Sequence, residues 1–176
     1  SAVPVSFLID PETGLESVLA STPAWRPVVD PTGRFVAFWS GTLRYDAASL
    51  AWWPETGRLY LAPWQAFSSA GAVEVPAVPL FEGDSDGAPT GEWDARWDDA
   101  GEHLAVWAAD PGDPTIGRLS LLAIDPSVTA LSSPAVLLHD EPALPGVSIG
   151  QGRLVWATPP GQDGEGSRIQ VLAWRG

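Results

Sequence analysis

The chain has 176 residues, enough for one domain with a sizeable core, and 45% of them are apolar, an ordinary share for a globular protein. Its net charge of −13 arises from 22 acids against nine cations, all of them Arg. That balance excludes the basic surface that nucleic acid or an anionic membrane requires.

Lys, Asn, Cys and Met are absent. Lys, Asn and Met have AT-rich codons, so a GC-rich genome accounts for most of this pattern, and lack of Asn and Cys also suits life at high temperature. With no Cys there are no disulfides and no thiol catalysis, and the redox compartment stays open. No run of about 18 apolar residues is present, so no membrane insertion is expected of this segment. No basic-then-apolar leader is present either. The chain opens on Ser1 and moves directly into "VPVSFLID", as expected of a processed mature end or of a segment cut from a longer sequence.

In chain order, "VSFLIDPETG" and "LESVLA" read as two strands that end a repeat unit. From Trp25, "WRPVVDPTGRFVAFWS" reads as strand, turn and strand. Its turn, Asp30-Pro31-Thr32-Gly33, has the needed chemistry: Asp bonds the following backbone, Pro sets φ and Gly accepts φ > 0. "SLAWWPETGRLYLAPWQAF" then reads as a long hairpin turning at Pro54-Glu55-Thr56-Gly57, with a third strand from Gly57 and a fourth, "AVEVPAVPL", from Ala72. The unit recurs as "DARWDDAGEHLAVWAA" from Asp94, "GRLSLLAID" from Gly117 and "AVLLHDE" from Ala135. A worn third copy is "GVSIGQGRLVWATP" from Gly146 with "SRIQVLAW" from Ser167.

The turn glycines Gly33, Gly101 and Gly152 are 68 and 51 residues apart, with loop insertions taking up the difference. Four-strand repeats of this length, punctuated by 18 Gly and 18 Pro and nearly free of helical periodicity, predict an all-β, β-propeller-like domain over residues 1–176. It divides into a partial blade at 1–20, blades at 24–80 and 93–140, and a partial blade at 146–176. That makes about three blades of four antiparallel strands, and roughly thirteen strands in all. Propellers close with about four to eight blades. This chain is therefore either a partial propeller or part of a larger ring. Its first and last strands are poised as edges, to pair with each other or across a homodimer.

"DPTGRFVAFWS" and "DDAGEHLAVWA" resemble the TolB-type (PD40) β-propeller repeat, in which Ser-Pro-Asp-Gly precedes a basic or polar residue and an apolar strand. Asp30-Pro31-Thr32-Gly33 matches at Pro and Gly; Asp98-Asp99-Ala100-Gly101 keeps the Gly and loses the Pro; Gln151-Gly152 barely matches. The resemblance covers about three-quarters of the chain. It implies a propeller scaffold that binds proteins or peptides and brings no catalytic residues. Similar repeats occur in extracytoplasmic sensor regions of bacterial envelope regulators and beside the catalytic domain of prolyl oligopeptidase-like enzymes.

Of ten Trp, six stand at repeat positions (Trp25, Trp39, Trp97, Trp107, Trp156 and Trp174) and are expected to fill the space between blades. Trp52, Trp53 and Trp64 lie outside the repeat, with Tyr60 nearby. Adjacent Trp52 and Trp53 point to opposite faces of a strand, so burying both requires two covers. Either a neighbouring blade or loop supplies the second, or these residues form an aromatic platform for a sugar, a peptide or a protein. Asp84-x-Asp86-Gly87, with Glu92 downstream, has part of a calcium loop's spacing but lacks the distal Glu of an EF-hand. A solvated loop and a calcium site are the two readings, and no other cofactor is expected. Only two His are present, and neither a Gly-x-Ser-x-Gly elbow nor a zinc motif occurs, so no enzyme is expected. The sequence points to a non-catalytic, extracytoplasmic protein-interaction or sensory domain of a bacterial envelope protein. The alternatives are a glycan-binding module with exposed Trp, or the accessory propeller of a peptidase.

Overall fold

The computed structural model describes residues 1–18, 22–69, 75–81, 92–110, 112–125, 132–161 and 166–174. Apart from one short helix it is all-β, in antiparallel sheets. Two compact units are formed, Ser1–Thr90 with Val128–Ser133, and Gly91–Ser127 with Pro134–Gly176.

In the first unit β1 (Phe7–Ile9) and β2 (Glu16–Val18) form a two-stranded sheet. Next, β3 (Trp25–Val29), β4 (Phe35–Asp46), β5 (Ala51–Pro63) and β6 (Val78–Pro79) form a four-stranded sheet in sequence order. Helix α1 (Trp64–Ser68) follows β5 and buries Phe67. The second unit repeats the four-stranded pattern with β7 (Trp93–Trp97), β8 (His103–Asp110), β9 (Asp113–Ala123) and β10 (Ala135–Ala143). A three-stranded sheet of β11 (Ser148–Gly150), β12 (Arg153–Ala157) and β13 (Ile169–Ala173) completes it.

The all-β class and the order of strands agree with expectation, though of "AVEVPAVPL" only Val78–Pro79 is strand among the described residues, and two of the turns use the chemistry read from the sequence. The Asp30 side chain accepts the amides of Thr32, Arg34 and Phe35 and the Thr32 hydroxyl, while its own amide donates to the Phe35 carbonyl. Asp98 does the same for Glu102 and His103, and its amide donates to the His103 carbonyl. Gly33 and Gly101 stand at the same place in these turns with φ of 70° and 67°, which only glycine adopts freely. Both aspartates are buried, and Asp and Gly together make the turn whether or not Pro is present.

One expected turn is elsewhere. Pro54-Glu55-Thr56-Gly57 lies inside β5, paired with Leu43, Thr42 and Gly41 of β4 across a register shift. The hairpin instead turns at residues 47–50, closed by Asp46. Gly57 is required for a different reason. A Cβ there would stand 2.6 Å from Trp39 Cζ2 and 2.2 Å from the Ser40 carbonyl oxygen. Gly117 has the same surroundings in the second sheet, 2.6 Å from Trp107 Cε2 and 2.4 Å from the Ala108 carbonyl oxygen. In each sheet an indole ring on the second strand therefore covers a glycine on the third.

The first sheet is buried on both faces near its base. Val36, Phe38 and Ala62 pack with Ala24, Phe67 and Val75, while Ala37, Trp39, Leu59 and Leu61 are buried from the opposite face. In the second unit Ala105, Trp107, Leu119 and Leu121 of one sheet pack against Leu154 and Trp156 of the next, with Leu172 and Trp174 at the margin. Trp39, Trp97, Trp107 and Trp156 are buried, as is Trp93.

Two measurements check these roles. Gly117→Ala drives a methyl into backbone and ring, so unfolding in denaturant should show a loss of about 1–3 kcal/mol. Gly166→Ala, where nothing among the described residues lies within 4 Å, should change stability by less than about 0.5 kcal/mol. Equal midpoints for the two variants would contradict the ring-on-glycine contact.

The second concerns acid. Burial raises the Asp30 pKa, but hydrogen bonds from the Thr32 hydroxyl and from the Phe35, Thr32 and Arg34 amides outweigh it, holding the carboxyl below its ordinary 3.8. Its contribution to stability is therefore complete above the unfolded-state value and is lost as pH falls from there through the lower folded value. Asp30→Asn should cost about 1–3 kcal/mol at neutral pH. It should also make the fall of stability below about pH 4 shallower than in the native chain. Parallel pH profiles for the two proteins would remove Asp30 from this role.

Candidate functional site

The β4–β5 hairpin is longer than its sheet requires. Its basal half, Phe35–Trp39 against Leu59–Pro63, is core. Beyond the facing pair Gly41 and Gly57, the strands continue as an arm in which most residues are partly or fully exposed. Where the arm begins, the backbones of Ala2 and Leu43 exchange hydrogen bonds of 2.9 and 2.7 Å. Thr42 and Thr56, facing each other beside the register shift, join hydroxyls at 2.7 Å.

The arm's tip is held by polar contacts. The Asp46 carboxylate accepts the amides of Ala48 and Ser49 and the Ser49 hydroxyl, at 3.1, 3.3 and 2.6 Å. Those bonds, led by the Ser49 hydroxyl and aided by the nearby Arg44 charge, hold the Asp46 carboxyl below its ordinary value. Leu50 takes a left-handed φ of 55° in this glycine-free turn. Trp53 Nε1 donates to Ser49 Oγ at 3.2 Å and ties the second strand to the turn.

Tyr45 and Trp52 are directly opposite in the register, with ring centroids 5.2 Å apart and planes at 55°. Tyr45 is 47% exposed and Trp52 44%. Aromatic cross-strand pairs stabilise a hairpin, yet this pair leaves about half its area in water. Trp53, paired with Arg44, lies on the other face and is partly buried. The opposite facing of Trp52 and Trp53 agrees with strand alternation.

Trp64 and Tyr60 are not part of this surface. Tyr60 stacks on Phe38 with centroids at 5.9 Å, and Trp64 stacks on Phe67 at 6.1 Å; both rest against the buried cluster at the hairpin's base. Eight residues of strand, about 26 Å at the usual rise, separate Tyr60 from Trp52. The four candidate residues thus fall in two places, and the residue that joins Trp52 is Tyr45. Its signal in the sequence was the spacing Tyr45 to Trp52 about a central turn, hidden by the turn expected at residues 54–57.

Of the candidate calcium ligands, Asp84 and Asp86 lie outside the described residues. Glu92 is exposed just before β7, and its carbonyl accepts the Ala109 amide at 2.8 Å. Among the described residues no group of three potential ligands comes together. His103 Nδ1 is 2.8 Å from Asp98 Oδ2, and its ring lies against Trp174 at 4.6 Å. This pair belongs to the turn that Asp98 closes. Ser120 Oγ is 3.5 Å from His139 Nδ1, with the Asp140 amide on the same oxygen at 3.4 Å. Hydroxyl and ring there span two neighbouring strands, and the long separation is poor for proton transfer.

Comparison with protein-family models, curated proteins and solved structures finds no match.

Exposure of the tip predicts how it responds to truncation. Trp52→Ala should cost less than about 1 kcal/mol, since the ring keeps much of its area in water. Phe38→Ala at the base should cost about 3–5 kcal/mol. Denaturant unfolding of both variants checks this, and a Trp52→Ala loss as large as that of Phe38→Ala would place Trp52 in a core.

Proposed function

We propose that this chain is a non-catalytic binding module whose partner, a protein or peptide, is engaged at the Tyr45–Trp52 face of the β4–β5 arm. The observation that carries this reading is the paired, half-exposed aromatic surface on an arm held apart from the core. Tyr and Trp supply large contact area at low entropic cost and are enriched at such surfaces. The sheets are read as TolB-like propeller blades. Support comes from strands placed in sequence order, the Asp-to-Gly turn shared by two sheets, and the indole-on-glycine contact repeated in both. An extracytoplasmic site of action in a bacterial envelope, as a protein-interaction or sensory domain, belongs to the same proposal.

A glycan-binding reading is favoured by one specific feature. Exposed rings beside hydroxyls and a carboxylate, as in Tyr45 and Trp52 beside Asp46 and Ser49, offer a sugar both stacking and hydrogen bonds.

A photo-crosslinking amino acid placed at Trp52, with Val136 as an exposed control position, separates these readings when the purified chain is exposed to envelope extract. An adduct of defined mass at Trp52, absent at Val136 and suppressed by excess native chain, is expected. Retardation in native gels containing soluble polysaccharide, lost in the Tyr45→Ala/Trp52→Ala variant, would favour the glycan. Neither adduct nor retardation would remove the arm as a binding surface.

A further inference from the structure

We propose that the outer edge of β13 is a docking site that receives the β1–β2 hairpin of a second copy of this chain. This goes beyond the binding role of the β4–β5 arm and uses none of its residues. Among the described residues the strand partner of β13 is β12, and the other edge of β13 is open. Sheet edges of this kind template pairing unless charge, proline or a bulge prevents it. Three other edges of this protein carry such protection: β10 has Asp140, Glu141, Pro142 and two register shifts; β3 has Arg26, Pro27 and a shift; β7 has Asp94 and Arg96. β13, Ile169 to Ala173, has no charge, no proline and no shift in register. Ile169 is 69% exposed and Val171 59%, on the face opposite Leu172, which packs on the core.

Charge selects the occupant. In a chain with 22 acids, strands β11 to β13 carry no carboxylate; Arg153 stands on β12 and Arg168 immediately precedes β13. Residues 1–25 show the reverse, with Asp10, Glu12 and Glu16 and no Arg. The β1–β2 hairpin also exposes Phe7, Ile9 and Val18, the apolar complement of Ile169 and Val171. A β13-to-β13 contact would bring no carboxylate to strands that carry none, whereas the hairpin brings its acids to them and joins two apolar strips. Two copies that exchange hairpins close as a dimer, with no further open contact of this type.

The chain has no Cys, so introduced thiols are unique. Chains carrying Ile9→Cys and Val171→Cys, mixed and treated with a short thiol-reactive cross-linker, should give a covalent species of two-chain mass. Native chain in sedimentation equilibrium should move from one-chain to two-chain mass with concentration. Val171→Glu and, independently, Ile9→Glu should hold it at one-chain mass with an unchanged circular dichroism spectrum. Three results would overturn the proposal: native chain at one-chain mass throughout; two-chain mass retained in both Glu variants; or rapid cross-linking of a doubly substituted chain within itself, with none between singly substituted chains.

Discussion

An indole ring laid across a glycine organises both four-stranded sheets. Trp39 covers Gly57 and Trp107 covers Gly117, and in each case the next residue but one, Leu59 or Leu119, stands directly opposite the Trp in the register. Any side chain on that glycine would lift the ring from the sheet. With the ring flat, a large apolar surface is buried over a narrow pair of strands. Trp107 also donates from Nε1 to the Ala143 carbonyl at 3.1 Å, which reaches the fourth strand of its own sheet. Trp39 Nε1 has no hydrogen-bond partner among the described residues, and such a buried donor costs about 1–3 kcal/mol. Full burial of the ring offsets that cost, since truncating a buried Trp loses about 3–5 kcal/mol.

The all-β class, the strand order and two of the turns were readable in the sequence because their determinants are local. Asp30 and Asp98 bond the backbone within five residues, and Gly33 and Gly101 supply positive φ three residues on. The position of the long hairpin's turn was not readable. Pro-Glu-Thr-Gly has turn composition, yet Pro54 stands beside the register shift and Gly57 lies under Trp39. The true turn, Ala-Ala-Ser-Leu, contains no Gly, Pro, Asn or Asp; the Asp46 side chain makes it with Ser49. Helix α1 also left no periodic trace, for five residues are too few, and its place is set by Phe67 against Phe38.

The position of that turn decides which aromatic residues face each other on the arm. Strand alternation alone puts Trp52 and Trp53 on opposite faces, but the partner of Trp52 across the hairpin depends on register, and register depends on the turn. With the turn at residues 47–50, Tyr45 faces Trp52, while Tyr60 and Trp64 go to the base and pack there. Polar groups in the described residues follow the same economy. Asp30, Asp98 and Asp46 are engaged in closing turns, so the carboxylates with the best-defined partners serve the scaffold. The exposed tip of the arm carries the Tyr45 and Trp52 rings.

The narrow passage at Gly41 and Gly57, where neither strand carries a side chain, has a consequence for how freely this protein can vary. Beyond it only the facing pair Leu43 and Pro54 is buried among the described residues of the arm, and the segment between Arg44 and Trp53 is held by its own short-range bonds through Asp46 and Ser49. Substitutions at the tip therefore do not propagate into the buried layers below. A lineage could exchange the residues around Tyr45 and Trp52, lengthen the turn, or alter its charge while the sheets beneath stay as they are. The same separation makes the tip a natural place to graft foreign recognition loops onto an otherwise constant frame.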